Sequence, residues 1–82
     1  MEVMRHMSRR EFPEGEYRGW HYAVIIVPAP ENRWTFAARF RRGDEPERDG
    51  RPNRTYISWD EAAARGEMFA LEWIDREEEE KR

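Results

Sequence analysis

The chain has 82 residues, of which 40% are charged, with a formal net charge of -3 and no cysteine. This length allows one domain, and the lack of cysteine excludes disulfides, thiol nucleophiles and thiolate metal sites. Aromatic residues make up 13% of the chain, including four tryptophans, which argues against disorder along its whole length. Neither a signal-peptide h-region nor an apolar run long enough to span a bilayer is visible, so we expect a cytoplasmic protein without a membrane partner.

The first predicted element is a strand at residues 16–27. It follows a polar segment, residues 1–15, that has no period of 2 or 3.6 and is expected to be a flexible tail, with a short added strand near its end left open. The strand is rich in β-branched and aromatic residues, and two prolines just behind it end it. One face carries Trp20, Tyr22, Val24 and Ile26, and the other carries His21, Ala23, Ile25 and Val27.

The second predicted strand, residues 33–41, shows the most regular alternation in the chain. Its apolar side carries Trp34, Phe36, Ala38 and Phe40, and its polar side carries Arg33, Thr35, Ala37, Arg39 and Arg41. Residues 42–53 are polar and contain glycines and prolines, which indicates either a long loop or a shorter hairpin loop between frayed strand ends. Residues 54–57 are predicted to form a short third strand with Tyr56 and Ile57 on opposite faces.

A helix is predicted to begin after Ser58. Ser58 and Glu61 have the spacing of a capping box, in which the glutamate reaches back to the Ser58 amide. Gly66 is expected where the helix crosses the sheet closely, because glycine in an exposed helix interior costs about 1 kcal/mol relative to alanine. Residues 77–82 contain no apolar side chain and are expected to fray. The apolar stripe of the helix consists of Ala62, Gly66, Phe69, Ala70 and Trp73, with Ile74 beside it.

Together these elements predict an α+β domain. Three antiparallel strands form a meander, and one C-terminal helix packs on one face of the sheet, so the chain order is β-β-β-α. The domain is expected over residues 16–76, between the N-terminal tail at residues 1–15 and a charged C-terminal tail at residues 77–82.

Catalytic chemistry finds little support in the sequence. Nucleophilic catalysis needs a base beside a serine or cysteine, and the two histidines, His6 and His21, fall in the predicted tail and on a predicted strand. No Gly-rich phosphate loop, zinc-binding helix pattern or EF-hand pattern is present. We therefore predict no enzyme activity, no cofactor and no metal site.

Positive charge is concentrated in residues 33–54, which hold seven arginines against four acidic residues, a net +3. Arginine forks suit phosphate oxygens and guanine edges, and a sheet can enter the major groove. The candidate nucleic-acid-binding residues are Arg33, Arg39, Arg41 and Arg54. A second explanation stays open, because solvated sheet faces also carry arginine and the codon usage of a GC-rich genome raises the arginine count.

The second face of the first strand predicts a protein interface. An apolar strip with a polar rim is typical of contact surfaces, often of symmetric dimers. The alternative is that the N-terminal segment folds over this strip. We therefore expect a protein-interaction or self-association module with a protein partner or a second copy of the chain, and nucleic-acid binding through the arginine-bearing face as the alternative. The candidate interface residues are His21, Ala23, Ile25 and Val27.

The motifs carry two resemblances. The first is to a group of small bacterial β-β-β-α proteins without an assigned activity, which implies the fold over residues 16–76 and no function. It is carried by Tyr17-Arg18-Gly19, Trp34, Asp60-Glu61-Ala62 and Trp73-Ile74-Asp75.

The second resemblance is architectural, to AP2-type domains and the arm-binding domains of phage integrases. It is carried by Tyr17-Arg18-Gly19 and by residues 33–39 and 56–63. It implies that the sheet reads DNA and that the candidate arginines face it. The chain departs from this pattern in two places. The segment 42–53 is long and partly acidic, and Ile57-Ser58 stands where the pattern has a glycine before the helix.

Overall fold

A computed structural model describes residues 12–81 of the chain. Four strands form one antiparallel sheet in the order β1-β2-β3-β4, and one C-terminal helix packs on it, which confirms the α+β class and the helix-on-sheet architecture. Within the described residues, no helix is long and apolar enough to cross a membrane. The elements are β1 Glu14–Tyr17, β2 Trp20–Ala29, β3 Arg33–Arg41, β4 Arg48–Gly50 and α1 Trp59–Glu80.

The segment predicted as one strand over residues 16–27 is a hairpin. Tyr17 pairs with Trp20, and the two residues between them have positive φ, 52° at Arg18 and 85° at Gly19. Positive φ at both central residues is the mark of a two-residue turn that matches the twist of the flanking strands. Tyr17 and Trp20 lie on the same side of the sheet although they are three residues apart, so the alternation of side chains changes phase at this turn. The described end of the predicted tail, from Glu14, belongs to β1.

β2 continues through Pro28 to Ala29, beyond the predicted end of the strand. Pro28 lies opposite Trp34, whose backbone N–H and C=O both bond to Tyr56 on the far side of β3. Residues 28 and 34 are therefore a pair without hydrogen bonds between them, and the N–H that proline lacks would point to the outer edge of the sheet. The turn to β3 follows at Glu31 and Asn32, which both have positive φ.

The third strand predicted over residues 54–57 is reduced to a single bridge, and the strand that follows β3 lies earlier in the chain. β4 lies inside the 42–53 segment and pairs with residues 38–40 of β3, so a shorter hairpin loop is the correct alternative there. At 54–57 a single bridge joins Tyr56 to Trp34. Tyr56 is buried and Ile57 is 71% exposed, as their opposite orientations predict.

α1 begins as predicted, with Ser58 as N-cap. The Ser58 hydroxyl accepts a hydrogen bond from the Glu61 amide at 3.0 Å, but the Glu61 carboxylate accepts from the Ile57 amide at 3.3 Å, and not from the Ser58 amide. The helix also extends through Glu80, where fraying is expected from the sequence. Arg48 donates to Glu77 and Arg42 donates to Glu78, which ties this last part of the helix to the sheet.

The core lies between α1 and one face of the sheet. Gly66 is the point of closest approach: a Cβ placed there would lie 2.4 Å from Cγ1 of Val24 and 3.2 Å from the Phe36 ring. Near the other end, the Phe40 and Trp73 rings stack with centroids 3.8 Å apart. The buried apolar residues are Trp20, Tyr22, Val24, Ile26, Phe36, Ala38, Phe40, Tyr56, Ala62, Ala63, Ala70 and Ile74.

Candidate interaction face of the sheet

The helix covers one side of the sheet, and we call the opposite side the open face. Strand side chains alternate between the two sides, so the residues between the buried positions of β2 and β3 point away from α1. No helix or strand within residues 12–81 packs over the open face. Its members are Glu14 and Glu16 from β1, His21, Ala23, Ile25, Val27 and Ala29 from β2, Arg33, Thr35, Ala37, Arg39 and Arg41 from β3, and Asp49 from β4.

The centre of the open face is apolar. Ile25 lies beside Ala37, and Val27 lies beside Thr35 on the neighbouring strand. These side chains are half-buried, although nothing from α1 reaches them. Cross-strand neighbours of this kind pack on each other and form a continuous surface.

One end of the open face is charged, and the charge is divided by strand. Across the sheet, Glu14 pairs in register with Ala23, which pairs with Arg39. In the next row, Glu16 pairs with His21, which pairs with Arg41. The β1 side of this end is therefore acidic and the β3 side basic, with β2 between them.

The four predicted interface residues all lie on β2 within the open face. They stand at alternate positions from His21 to Val27, with His21 exposed and the three aliphatic residues half-buried. The structure thus places them on one continuous side, and their role as an interface stays a prediction.

The four predicted nucleic-acid residues are separated. Arg39 and Arg41 lie at the charged end, whereas Arg33 lies at the opposite end of β3 and near Arg54. Six residues of strand between Arg33 and Arg39 correspond to about 20 Å. Asp49 of β4 is paired with Arg39, so an acidic residue lies directly beside this arginine, and Glu14 lies two strands away in the same row.

Other arginines are held by carboxylates near the end of α1. Arg42 lies 2.8 Å from Glu78 and 3.2 Å from Glu45, and Arg48 lies 2.7 Å from Glu77. Their guanidinium groups also lie over tryptophan rings, which adds a cation–π contact to each ion pair. The charges of Arg42 and Arg48 are therefore neutralised by carboxylates, and the ion pairs with Glu78 and Glu77 hold the helix to the sheet.

A third ion pair joins the first hairpin to α1. The Arg18 guanidinium lies 2.8 Å from Oδ1 of Asp75, and the Tyr17 hydroxyl donates to the same oxygen at 2.9 Å. The hydrogen bond from Arg18, followed by that from Tyr17, holds the pKa of Asp75 below its ordinary value of 3.8. The same Asp75 bond, with burial second, raises the pKa of Tyr17.

Sequence reasoning missed three residues that contribute to the charged surfaces. Glu14 and Glu16 join the open face because β1 is a separate strand, and the signal for it was the Arg18-Gly19 pair between two strand-forming segments. Arg65 lies near Arg33 and Arg54, and no local sequence pattern brings a helix residue to that place. Among the described residues, no group of three histidine, aspartate or glutamate side chains is placed to hold a metal ion.

No protein family, curated protein or solved structure matches this chain. The resemblances to small bacterial β-β-β-α proteins and to AP2-type or integrase arm-binding domains therefore stay predictions. The function has to be argued from the surfaces themselves.

Proposed function

We propose that this protein is a self-association module whose open face packs against the open face of a second copy. The observation that carries the proposal is the half-buried apolar strip of β2 and β3, which ends in two rows that carry acidic side chains on β1 and arginines on β3. Apolar centres with charged rims are typical of isologous interfaces. The cytoplasm, expected from the sequence, is the compartment we propose for it.

The charges favour one orientation of the two copies. A two-fold axis parallel to β2 lays β1 of one copy over β3 of the other, while β2 faces itself. Glu14 then lies opposite Arg39 of the second copy, and Glu16 lies opposite Arg41, because the register places each pair in the same row. Ile25 meets its own counterpart at the centre. Sheets that pack face to face keep their strands within about 30° of each other, which this arrangement allows.

A two-fold axis across the strands is disfavoured by the same charges. It would bring the Arg41 end of β3 over the Arg33 end of β3 in the second copy, because the register of the sheet is then reversed. Like charges facing each other cost free energy, and this cost suppresses the second arrangement.

The area of the open face sets the expected affinity of the dimer. Strands of four, ten, nine and three residues, at a rise of about 3.3 Å per residue and a spacing of about 4.8 Å, present about 400 Å² of sheet per copy. The two copies together bury less than the roughly 1,200 Å² at which stable interfaces begin. We therefore expect a reversible dimer with a dissociation constant of about 10 µM to about 1 mM.

Sedimentation equilibrium of the full chain across this concentration range tests the proposal. Ile25→Asp is expected to leave only monomer, since it buries a charge at the centre of the interface. Ile57→Asp is the matched control: the same substitution is made at a side chain that is 71% exposed outside the strip, and it should dimerise as the wild type does. A wild type that stays monomeric throughout the range overturns the proposal, and contacts between Ile25 and residues 1–11 in NMR spectra would identify the N-terminal segment as the cover instead.

Charge exchange tests the orientation. Glu14→Arg alone and Arg39→Glu alone should each weaken the dimer, because each places like charges opposite one another. The double variant restores opposite charges and should recover wild-type affinity. If both single variants dimerise like the wild type, the axis parallel to β2 is incorrect.

Nucleic-acid binding remains the alternative hypothesis, and the positions of the charges argue against it. Arg42 and Arg48 form ion pairs with carboxylates. Arg39 and Arg41 lie at the same end of the sheet as several acidic residues. A titration with duplex and single-stranded DNA at low salt decides the question, because phosphate contacts give strongly salt-dependent binding. Salt-sensitive chemical shifts in β3 and residues 42–54 would support this alternative.

A further inference from the structure

A second surface feature lies at the opposite end of β3 from the charged rows. It is a cleft of about 280 Å³ where the 54–57 segment passes between β3 and the first turns of α1. Three guanidinium groups and one carboxylate line it, so its formal charge is +2 in a chain whose total is -3. We call it the arginine cleft, and its lining includes Arg33, Arg54, Thr55, Ile57, Glu61 and Arg65.

One of the three arginines is held in place by the protein. The Nε atom of Arg33 donates to the Thr55 hydroxyl at 2.6 Å, and a terminal guanidinium nitrogen donates to the Thr55 carbonyl at 3.2 Å. A guanidinium has five N–H donors, so three remain for a ligand after these two bonds. A side chain fixed in this way loses little conformational entropy when a ligand binds.

The other two arginines keep all their donors. Among the described residues, neither Arg54 nor Arg65 forms a side-chain hydrogen bond or an ion pair. Arg18, Arg42 and Arg48, in contrast, each lie within 3 Å of a carboxylate. The arginine cleft is therefore a place where positive charge is not already neutralised by the fold.

We propose that the arginine cleft binds the phosphate group of a small phosphate monoester. Guanidinium forks recognise phosphate oxygens by paired hydrogen bonds, and a monoester above its second pKa of about 6 carries two negative charges, which match the charge of the cleft. The Glu61 carboxylate is already directed to the Ile57 amide, so it lowers the affinity without closing the site.

An extended nucleic-acid strand fits this region less well than a compact dianion. A phosphodiester chain needs a continuous positive track, and the other arginines of β3 that form no ion pair within residues 12–81, Arg39 and Arg41, lie about 20 Å along the strand. A cleft beside them is lined by Arg39, Glu47, Arg48 and Asp49, whose charges cancel. β3 therefore offers no continuous positive track from the arginine cleft to its other end.

The test is a chemical-shift titration of the ¹⁵N-labelled full chain with phenyl phosphate, with phenyl sulfate as a monoanion of the same shape. Phenyl phosphate is expected to shift the backbone amides of Thr55, Tyr56 and Ile57 and the Nε–H signal of Arg33, and phenyl sulfate to bind several-fold more weakly. The phosphate affinity should also fall as the pH drops through about 6, where the second charge is lost. Equal affinity for the two anions overturns the proposal.

Matched variants locate the site. Replacing Arg54 and Arg65 together by glutamine should weaken phenyl phosphate binding at least about tenfold, whereas replacing Arg39 and Arg41 by glutamine removes the same charge elsewhere and should leave it unchanged. Glu61→Gln keeps a carbonyl acceptor for the Ile57 amide and should tighten binding. Equal losses in the two double variants would mean nonspecific attraction, and tighter binding of a single-stranded oligonucleotide that shifts both ends of β3 would mean nucleic-acid binding; either result refutes a monoester site.

Discussion

Replacing Gly66 by alanine tests how closely α1 approaches the sheet. In an exposed helix interior this substitution stabilises by about 1 kcal/mol, because glycine has more backbone freedom to lose on folding. Here the new Cβ would lie 2.4 Å from Cγ1 of Val24, with the Phe36 ring at 3.2 Å. Ordinary carbon contacts lie near 3.5–4.0 Å, so the helix or β2 has to move by about 1 Å.

The expected result is a net loss of stability. Forcing an extra methyl group into a packed core costs about 1–3 kcal/mol, which exceeds the gain in helix propensity. We expect the free energy of unfolding to fall by about 1 kcal/mol, and the midpoint of thermal unfolding to fall by several degrees in a domain of this size. Urea denaturation measures the change directly, with an unaltered slope showing that both end states are retained.

Two further variants separate the clash from the propensity. Ala64→Gly lies at an exposed position of the same helix and should cost about 1 kcal/mol, which calibrates propensity alone. Val24→Ala removes the atom that the new Cβ would meet, so Gly66→Ala made in that background should be neutral or stabilising, with a coupling of about 1–2 kcal/mol. A gain of about 1 kcal/mol in both backgrounds would show that the helix does not approach β2 this closely.

Three more predictions concern caps and titration. Ser58→Ala should lower the free energy of unfolding by about 1 kcal/mol in urea, whereas Ser58→Asp keeps a capping oxygen and should not. Because the folded-state pKa of Asp75 is lowered by Arg18, the stabilisation of the fold by the Asp75 carboxylate is complete above pH 3.8 and is lost as the pH falls through the lower folded-state value. The difference in the free energy of unfolding between wild type and Asp75→Asn should therefore shrink over that range, and a constant difference contradicts this. Burial, followed by the hydrogen bond to Glu67, raises the pKa of Tyr22 above 10.0; absorbance titration should show Glu67→Gln lowering it only part of the way, and a complete return to 10.0 would show that burial is not the main cause.

Much of the fold follows from local pattern. The strict alternation of β3 identifies its buried and open sides, and both agree with the structure. The N-cap at Ser58 and the close crossing at Gly66 also follow, because capping and helix packing use chemistry that is readable over a few residues. The Arg18-Gly19 turn was not predicted although the side-chain alternation changes phase there, because β1 has only four residues and a period of 2 is not distinct over so few positions.

The candidate surfaces are less predictable from the sequence than the strands and the helix, because they depend on how these elements are placed against each other. The sequence alone shows that β2 has a second apolar face, because the residue types at alternate positions are visible in it. It did not determine that Glu14 and Glu16 flank this face, since that requires a hairpin turn and a register. Nor did it show which arginines are paired with a carboxylate and which are not. Arg48 and Glu77 are 29 residues apart in the chain and 2.7 Å apart in the fold.

The same reason explains the arginine cleft. Arg33, Arg54 and Arg65 lie on a strand, an irregular segment and a helix, and only the packing of α1 on the sheet brings them to one place. Periodicity reports which side of an element is buried, because that depends on spacing within the element. Ion pairs and clefts depend on how separate elements pack against each other, and no pattern within one element reports that.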